Sequence, residues 1–192
     1  MSVGIKFNSK QMMITNATAY WIKVFAPEQK YKAEKGVMEY SLQVLVPEEV
    51  VDALADNEVN KKPSTVKDKN KATIKNAKKA GKEPILYPEQ YEDLYVLTLA
   101  SLAKWPDGKD KAIKVAMNGK IFNGMAGNET VVDVICELGK DYGDGRPAYL
   151  SEVNIKDLVE VDASKAPDPD AFGFEADNED FGEDFESDDV PF

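Results

Sequence analysis

The 192-residue chain contains no histidine, one cysteine and, in Arg146, one arginine, and each scarcity removes some chemistry. Without histidine, Ser-His-Asp and Cys-His catalytic arrangements are impossible, and a single cysteine cannot assemble the N/S ligand set that zinc ordinarily takes. That cysteine, Cys136, lies in the apolar run Val131 to Leu138, where it is expected to be a small buried hydrophobe with no nucleophilic or redox role. No apolar run approaches the ~18 residues of a membrane span, and Met1 to Lys10 lacks a hydrophobic stretch of signal-peptide length. The chain is therefore expected to engage no membrane and to stay in the cytoplasm. Carboxylates are many but scattered, which leaves a magnesium-dependent nuclease as an enzymatic alternative; the main expectation is a binding protein, not an enzyme, with no cofactor, metal or catalytic residue.

What the chain has in excess is acid, and it is confined to one place. Eleven of the 35 acidic residues fall between Ala166 and Phe192, where there is no Lys or Arg, and the other 24 balance the 24 bases of residues 1–165. The whole net charge of -11 thus sits in the last 27 residues. A single-sign block of this density repels itself and buries little, so 166–192 is expected to be a disordered acidic arm on a globular body of 1–165. Its apolar residues are nearly all phenylalanines spaced among acids: Phe172, Phe174, Phe181, Phe185 and Phe192. Exposed rings serve no purpose in a merely solubilising tail, so they read as anchors for other proteins. The sharpest anchor comprises Asp184, Phe185, Asp188, Asp189, Val190, Pro191 and Phe192, where proline stiffens the backbone and the last ring and its carboxylate offer two handles to a basic pocket.

The body reads mainly as strands. Ala17 to Phe25 is aromatic and β-branched, with Tyr20, Ile22 and Val24 expected on one face and Ala19, Trp21, Lys23 and Phe25 on the other. Two rings beside a lysine suit a surface that stacks bases and tracks phosphates; the alternative is a second packed layer with Lys23 reaching out. Val37 to Val46 alternates, with Met38, Tyr40, Leu42, Val44 and Val46 facing inward. Pro47 is expected to open a short helix at its first position. Lys61 to Lys82 holds nine lysines against one acid, Asp68; Ser64 is the expected cap and Gly81 the stop of a helix whose thin stripe is Val66, Ala72, Ile74 and Ala77. It reads as a lysine-rich flap that touches nucleic-acid backbone without reading sequence, or as a solvated helix. Further strands are expected at Leu94 to Leu102, Ile113 to Met117, Glu129 to Leu138 and Tyr149 to Val161, with turns at Trp105-Pro106-Asp107-Gly108 and Asn118-Gly119.

Five principal strands, a helical Lys-rich insertion over 61–82 and no βαβ alternation fit a five-stranded Greek-key barrel, the OB-fold. Such a barrel binds across its second and third strands and the loops that join strands one to two and four to five. Here those loops are Pro27 to Gly36, with Lys30, Tyr31, Lys32 and Lys35, and Gly139 to Ala148, with Lys140, Tyr142 and Arg146. Lys104, Trp105 and Lys109, on the turn, complete the candidate set for single-stranded DNA with Trp21, Lys23 and Phe25.

The stretches YWIKVFAP, EYSLQVLVPEE, AGNETVVDVICEL, AYLSEVNIKDLVEV and the terminal DDVPF resemble the single-stranded DNA-binding proteins of tailed bacteriophages. The tip also resembles that of the bacterial proteins of the same function. The resemblance implies an OB-fold, sequence-independent binding of single strands in DNA replication and recombination, and recruitment of polymerase, helicase or primase through the acidic tail. If a phage encodes the chain, the cytoplasm is the host's, and a homodimer is compatible with it. The Lys61 to Lys82 insertion is not a fixed feature of that family. A rival of a different class is a protein adaptor or DNA mimic whose acidic arm inhibits a nucleic-acid enzyme.

Overall fold

The structure, a computed structural model, describes residues 2–161. The acidic arm expected over 166–192, with its anchor residues Asp184, Phe185, Asp188, Asp189, Val190, Pro191 and Phe192, lies outside the described residues. Nine strands are present among them: β1 (Gly4–Phe7), β2 (Gln11–Gln29), β3 (Met38–Val46), β4 (Ser64–Thr65), β5 (Tyr95–Leu102), β6 (Lys114–Met117), β7 (Lys120–Ile121), β8 (Thr130–Leu138) and β9 (Ala148–Asp157). The helices are α1 (Glu48–Asp56) and α2 (Val66–Ala80), with one 3-10 turn at Glu89–Tyr91.

Five of the strands close a barrel. β2 pairs antiparallel with β3 and with β8, β3 with β5, and β8 with β9. The ring shuts where β5 meets β9 in parallel at Ala100 and Tyr149. This is the OB-fold connectivity expected from the strand count, with β2, β3, β5, β8 and β9 as its strands one to five. The short β6–β7 hairpin hangs on β9 and turns at Asn118 and Gly119, whose φ values of 53° and 73° are the left-handed pair that a tight hairpin needs.

The interior is built by alternation, with one step of three in β9 where its pairing with β8 slips: Leu42, Val44 and Val46 from β3, Leu97 and Leu99 from β5, Val132, Val134 and Cys136 from β8, and Leu150, Val153 and Ile155 from β9 are all buried. Each fully buried Leu, Ile or Val contributes roughly 1.5–3 kcal/mol of transfer free energy. Burial also pushes the Cys136 thiol up to about 12, so it stays protonated at neutral pH. Helix α1 stoppers one end of the barrel with Val50 and Leu54, one turn apart and both buried in the main core. Pro47 is the residue before this helix rather than its first position, and Glu48 and Glu49 occupy the first turn, where the helix dipole favours acids.

Strand β2 corrects the sequence-based alternation. Its core-facing residues run Met12, Ile14, then Ala17, Ala19, then Ile22, Val24, so the step of two is twice replaced by a step of three. Pairing slips at the same two places, between Ile14 and Ala17 against β8 and between Tyr20 and Lys23 against β3. At each slip one residue turns to positive φ, Asn16 at 56° and Trp21 at 47°. Their N–H groups are held at 2.9 Å by the side-chain oxygens of Asp133 and Asn128. These are β-bulges, and each extra residue flips the face of everything beyond it. Tyr20 therefore does not share the barrel core with Ile22 and Val24, but lies in a second, outer cluster with Leu45, Val66, Tyr87 and Val96.

The helical insertion is real, with two corrections. Thr65, not Ser64, caps α2: its hydroxyl accepts the Asp68 N–H at 3.1 Å. Gly81 stops it in the left-handed conformation at φ 66°. Of the expected stripe, only Val66 is buried, while Ala72 and Ile74 are exposed. Among the described residues, no helix is long and apolar enough to cross a membrane.

Candidate nucleic-acid interface

The outward faces of β3 and β5 form an open strip whose composition follows from register. Tyr20 stands opposite Gln43 and Gln43 opposite Thr98; Lys23 stands opposite Ser41 and Ser41 opposite Ala100; Glu39 stands opposite Leu102. Small side chains in the middle of this strip leave its floor shallow. Next to Ala100, across the parallel seam, is the exposed Tyr149.

One side of the strip is an aromatic clasp. The Tyr20 ring lies 5.6 Å from Trp21, 4.9 Å from Tyr87 and 6.4 Å from Tyr91, and Trp21 lies 4.9 Å from Tyr87. The bulge at Trp21 allows this, because it turns two successive residues of one strand toward the same cluster. Tyr87 is fixed by the Asn70 side chain of α2, which accepts the Tyr87 N–H at 2.9 Å and donates to its carbonyl at 3.0 Å. The Tyr87 hydroxyl donates to the Gln43 side-chain oxygen, and the Tyr20 hydroxyl to Glu129 Oε1 at 2.9 Å. Burial holds both phenols above their ordinary range, for Tyr20 with the added push of Glu129, so both remain neutral donors.

The far end of the strip is where sequence-predicted residues converge. Gln29 of β2 pairs with Met38 of β3, and Ala103 donates to the Met38 carbonyl at 2.9 Å. The loop 30–37 and the loop after β5 therefore leave the barrel side by side. The first carries Lys30, Lys35 and Tyr31, whose exposed ring has Lys32 Nζ 5.4 Å from its centroid. The second is the expected turn, closed by Gly108 N–H to the Trp105 carbonyl at 2.9 Å, with the backbones of Lys104 and Asp110 paired antiparallel across it. Trp105 is 45% exposed. Lys111 lies 4.6 Å over its ring while donating to Ser101 Oγ at 2.7 Å. One face of Trp105 is thus backed by a cation anchored in the barrel wall.

The remaining candidates are not gathered there. Trp21 packs on the outer cluster, and Phe25 packs on the main core 5.9 Å from Phe122, so both serve as packed layers as well as surface. Lys23 pairs with Glu28, and Lys109 with Asp107 at 2.9 Å; such exposed pairs contribute little and open readily to a phosphate. Lys140, Tyr142 and Arg146 occupy the loop after β8, whose last residue Leu138 donates to Lys10 at the opposite end of β2. That loop leads into β9, whose Tyr149 stands beside Ala100, so it borders the strip at the parallel seam. Arg146 is engaged there, donating from Nη2 to the Ser9 carbonyl at 2.8 Å. Sequence reasoning missed Tyr20, Tyr87, Tyr91, Lys111 and Tyr149. Only Lys111 left a trace, since a hairpin turning at 105–108 brings it back opposite Ala103. Among the described residues, no group of three or more Cys, Asp or Glu is placed to hold a metal ion.

No protein-family model and no curated protein matches the chain. Solved structures do. The single-stranded DNA-binding protein from bacteriophage Enc34, in complex with single-stranded DNA, is 14% identical, with a TM-score of 0.45 over 83% of this chain and 97% of that one. The single-stranded DNA-binding protein gp2.5 encoded by bacteriophage T7 is 13% identical, with a TM-score of 0.51 over 84% of this chain and 99% of that one. At that level it is the barrel that is shared: this chain has the fold of gp2.5 across nearly all of that protein's length.

Proposed function

We propose that the chain binds single-stranded DNA without sequence preference, as a stoichiometric DNA-binding protein of phage replication and recombination. The observation that carries this reading is the strip on β3 and β5, whose far end presents exposed rings, Tyr31 and Trp105, each with a lysine amine over it. Every base has a ring face, so stacking on such rings tolerates any sequence, and neighbouring lysines neutralise the phosphates that stacking brings near. The likeness in fold to gp2.5, named for single-stranded DNA binding, supports the same reading.

The test is tryptophan fluorescence of the full chain titrated with oligo(dT), Trp21 and Trp105 being the two reporters. Quenching is expected, with log K falling against log salt by about 0.7 for each phosphate neutralised. Absence of quenching together with no gel shift of random single strands would transfer the assignment to the protein adaptor or DNA mimic.

The acidic arm supplies partner recruitment and self-competition. A 27-residue coil spans about 30 Å, and the described chain ends beside Thr130, which pairs with Ala19 next to the aromatic clasp. In this reading the arm's acids compete with DNA for the lysines of the strip. Deleting 166–192 should raise oligo(dT) affinity several-fold at low salt, and unchanged or weaker binding defeats the competition. In the same series, removing only Phe192 should leave DNA affinity intact while abolishing capture of a phage polymerase, helicase or primase.

A further inference from the structure

Helix α2 has two faces of different chemistry. Val66, Asn70, Thr73 and Ala77 recur at the three- and four-residue spacing of one helix face; Val66 is buried and the other three are partly covered. This is the docked face, and Asn70 is its clamp through the paired hydrogen bonds to Tyr87. On the other side, Lys67, Lys71, Lys75 and Lys78 recur at the same spacing, and all four are exposed. Lys71 approaches Asp68 at 3.8 Å with both side chains about two-thirds exposed, a pairing too solvated to hold the amine. The helix is capped at both ends by Thr65 and Gly81, so the four amines stand at fixed intervals of about 5–6 Å along a rod of about 22 Å.

The docked face explains why the helix exists; it does not explain the lysines. Solubility needs no alignment, because scattered charge of either sign serves it equally. An aligned row of like charges costs helix stability through repulsion at four-residue spacing, which implies a polyanion that offsets it. The identity of the polyanion follows from what the row lacks. No aromatic residue occurs anywhere in α2, so this surface neutralises phosphates but offers nothing to an unpaired base. The strip on β3 and β5 has the opposite character, with rings at its edge and end.

We infer that the lysine row of α2 is a second nucleic-acid site, one that takes the backbone of a duplex, in which bases are already stacked and phosphates are densest at one charge per ~1.7 Å of axis. The inference rests on the strip binding single strands, and together the two surfaces suit a junction where unpaired DNA meets duplex. Tyr87 couples them: its ring is part of the clasp beside the strip, and its backbone is the seat of α2.

The experiment compares the full chain with a variant carrying Lys67→Gln, Lys71→Gln, Lys75→Gln and Lys78→Gln, glutamine being nearly as good a helix former as lysine. Circular dichroism checks that helix content is retained. Fluorescence anisotropy is then read with a labelled 20-base-pair duplex and, separately, with oligo(dT). The expected result is that duplex affinity falls tenfold or more, with the magnitude of the salt slope for duplex reduced by about 3.6, at roughly 0.9 for each of the four phosphates left without its lysine. Oligo(dT) affinity should change less than threefold. Equal decreases on both ligands would make α2 part of the single-strand site and overturn the inference. Unchanged or tighter duplex binding would also overturn it, the second outcome assigning the lysines to the chain's own acidic arm. If the parent binds duplex through the row but ignores oligo(dT), the single-strand reading fails while the duplex site stands.

Discussion

Replacing Trp105 with alanine is expected to weaken oligo(dT) binding by about 1–3 kcal/mol, roughly a factor of 5 to 150 in Kd, while leaving the salt slope unchanged. The ring is backed on one side by Lys111 and open on the other, and it stands where the loop 30–37 and the end of β5 leave the barrel together. Truncation removes the stacking surface but leaves every lysine in place to meet phosphate, so affinity and salt dependence separate. The melting temperature should move little, because the residue is 45% exposed and belongs to neither buried cluster. A drop in melting temperature with undiminished binding would instead make Trp105 a lid on the barrel's end.

Leu42→Ala should have the opposite profile. Leu42 is fully buried and stands directly opposite the fully buried Leu99 on β5, in the wall that carries the strip on its outer side. Truncation there leaves a cavity in a closed barrel whose strands cannot collapse independently, and a cost of about 2–5 kcal/mol is expected. Against a total of roughly 5–15 kcal/mol this is severe, on the order of 10 °C in Tm for a domain of this size. Urea unfolding followed by circular dichroism reads it, with oligo(dT) affinity of the folded protein within about threefold of the parent. A cost below about 1 kcal/mol, under the range for cavity-forming substitutions, would mean the wall is not packed through this pair.

Both expectations depend on which side of a strand each residue faces, and the sequence is a good guide to this wherever pairing is regular. In β3, Leu42, Val44 and Val46 are buried as the alternation requires, but Met38, expected inward, is exposed at the strand's start, and Leu45 on the outward face is buried in the outer cluster. In β2 the same alternation breaks after Ile14, because a bulge is decided by what satisfies the displaced N–H, and Asp133 and Asn128 that do so are more than a hundred residues away. The stripe of α2 departs from its hydropathy for a related reason. Its docked face keeps Val66 and Ala77 of that stripe but takes Asn70 and Thr73 in place of Ala72 and Ile74, chosen by Asn70 reaching a backbone seventeen residues on, and hydropathy carries no signal of that.

Composition and local pattern were enough to exclude histidine, zinc and thiol chemistry, to confine the net charge to 166–192, to count five barrel strands and to mark the lysines, Tyr31 and Trp105 as surface candidates. These follow from residue type and short-range spacing, which the chain carries with it when unfolded. Which loops adjoin, which rings share a cluster and which face of α2 is free were decided by tertiary structure alone. Strand register and two bulges set them, and register is fixed only when residues far apart in sequence compete for the same core and the same hydrogen bonds.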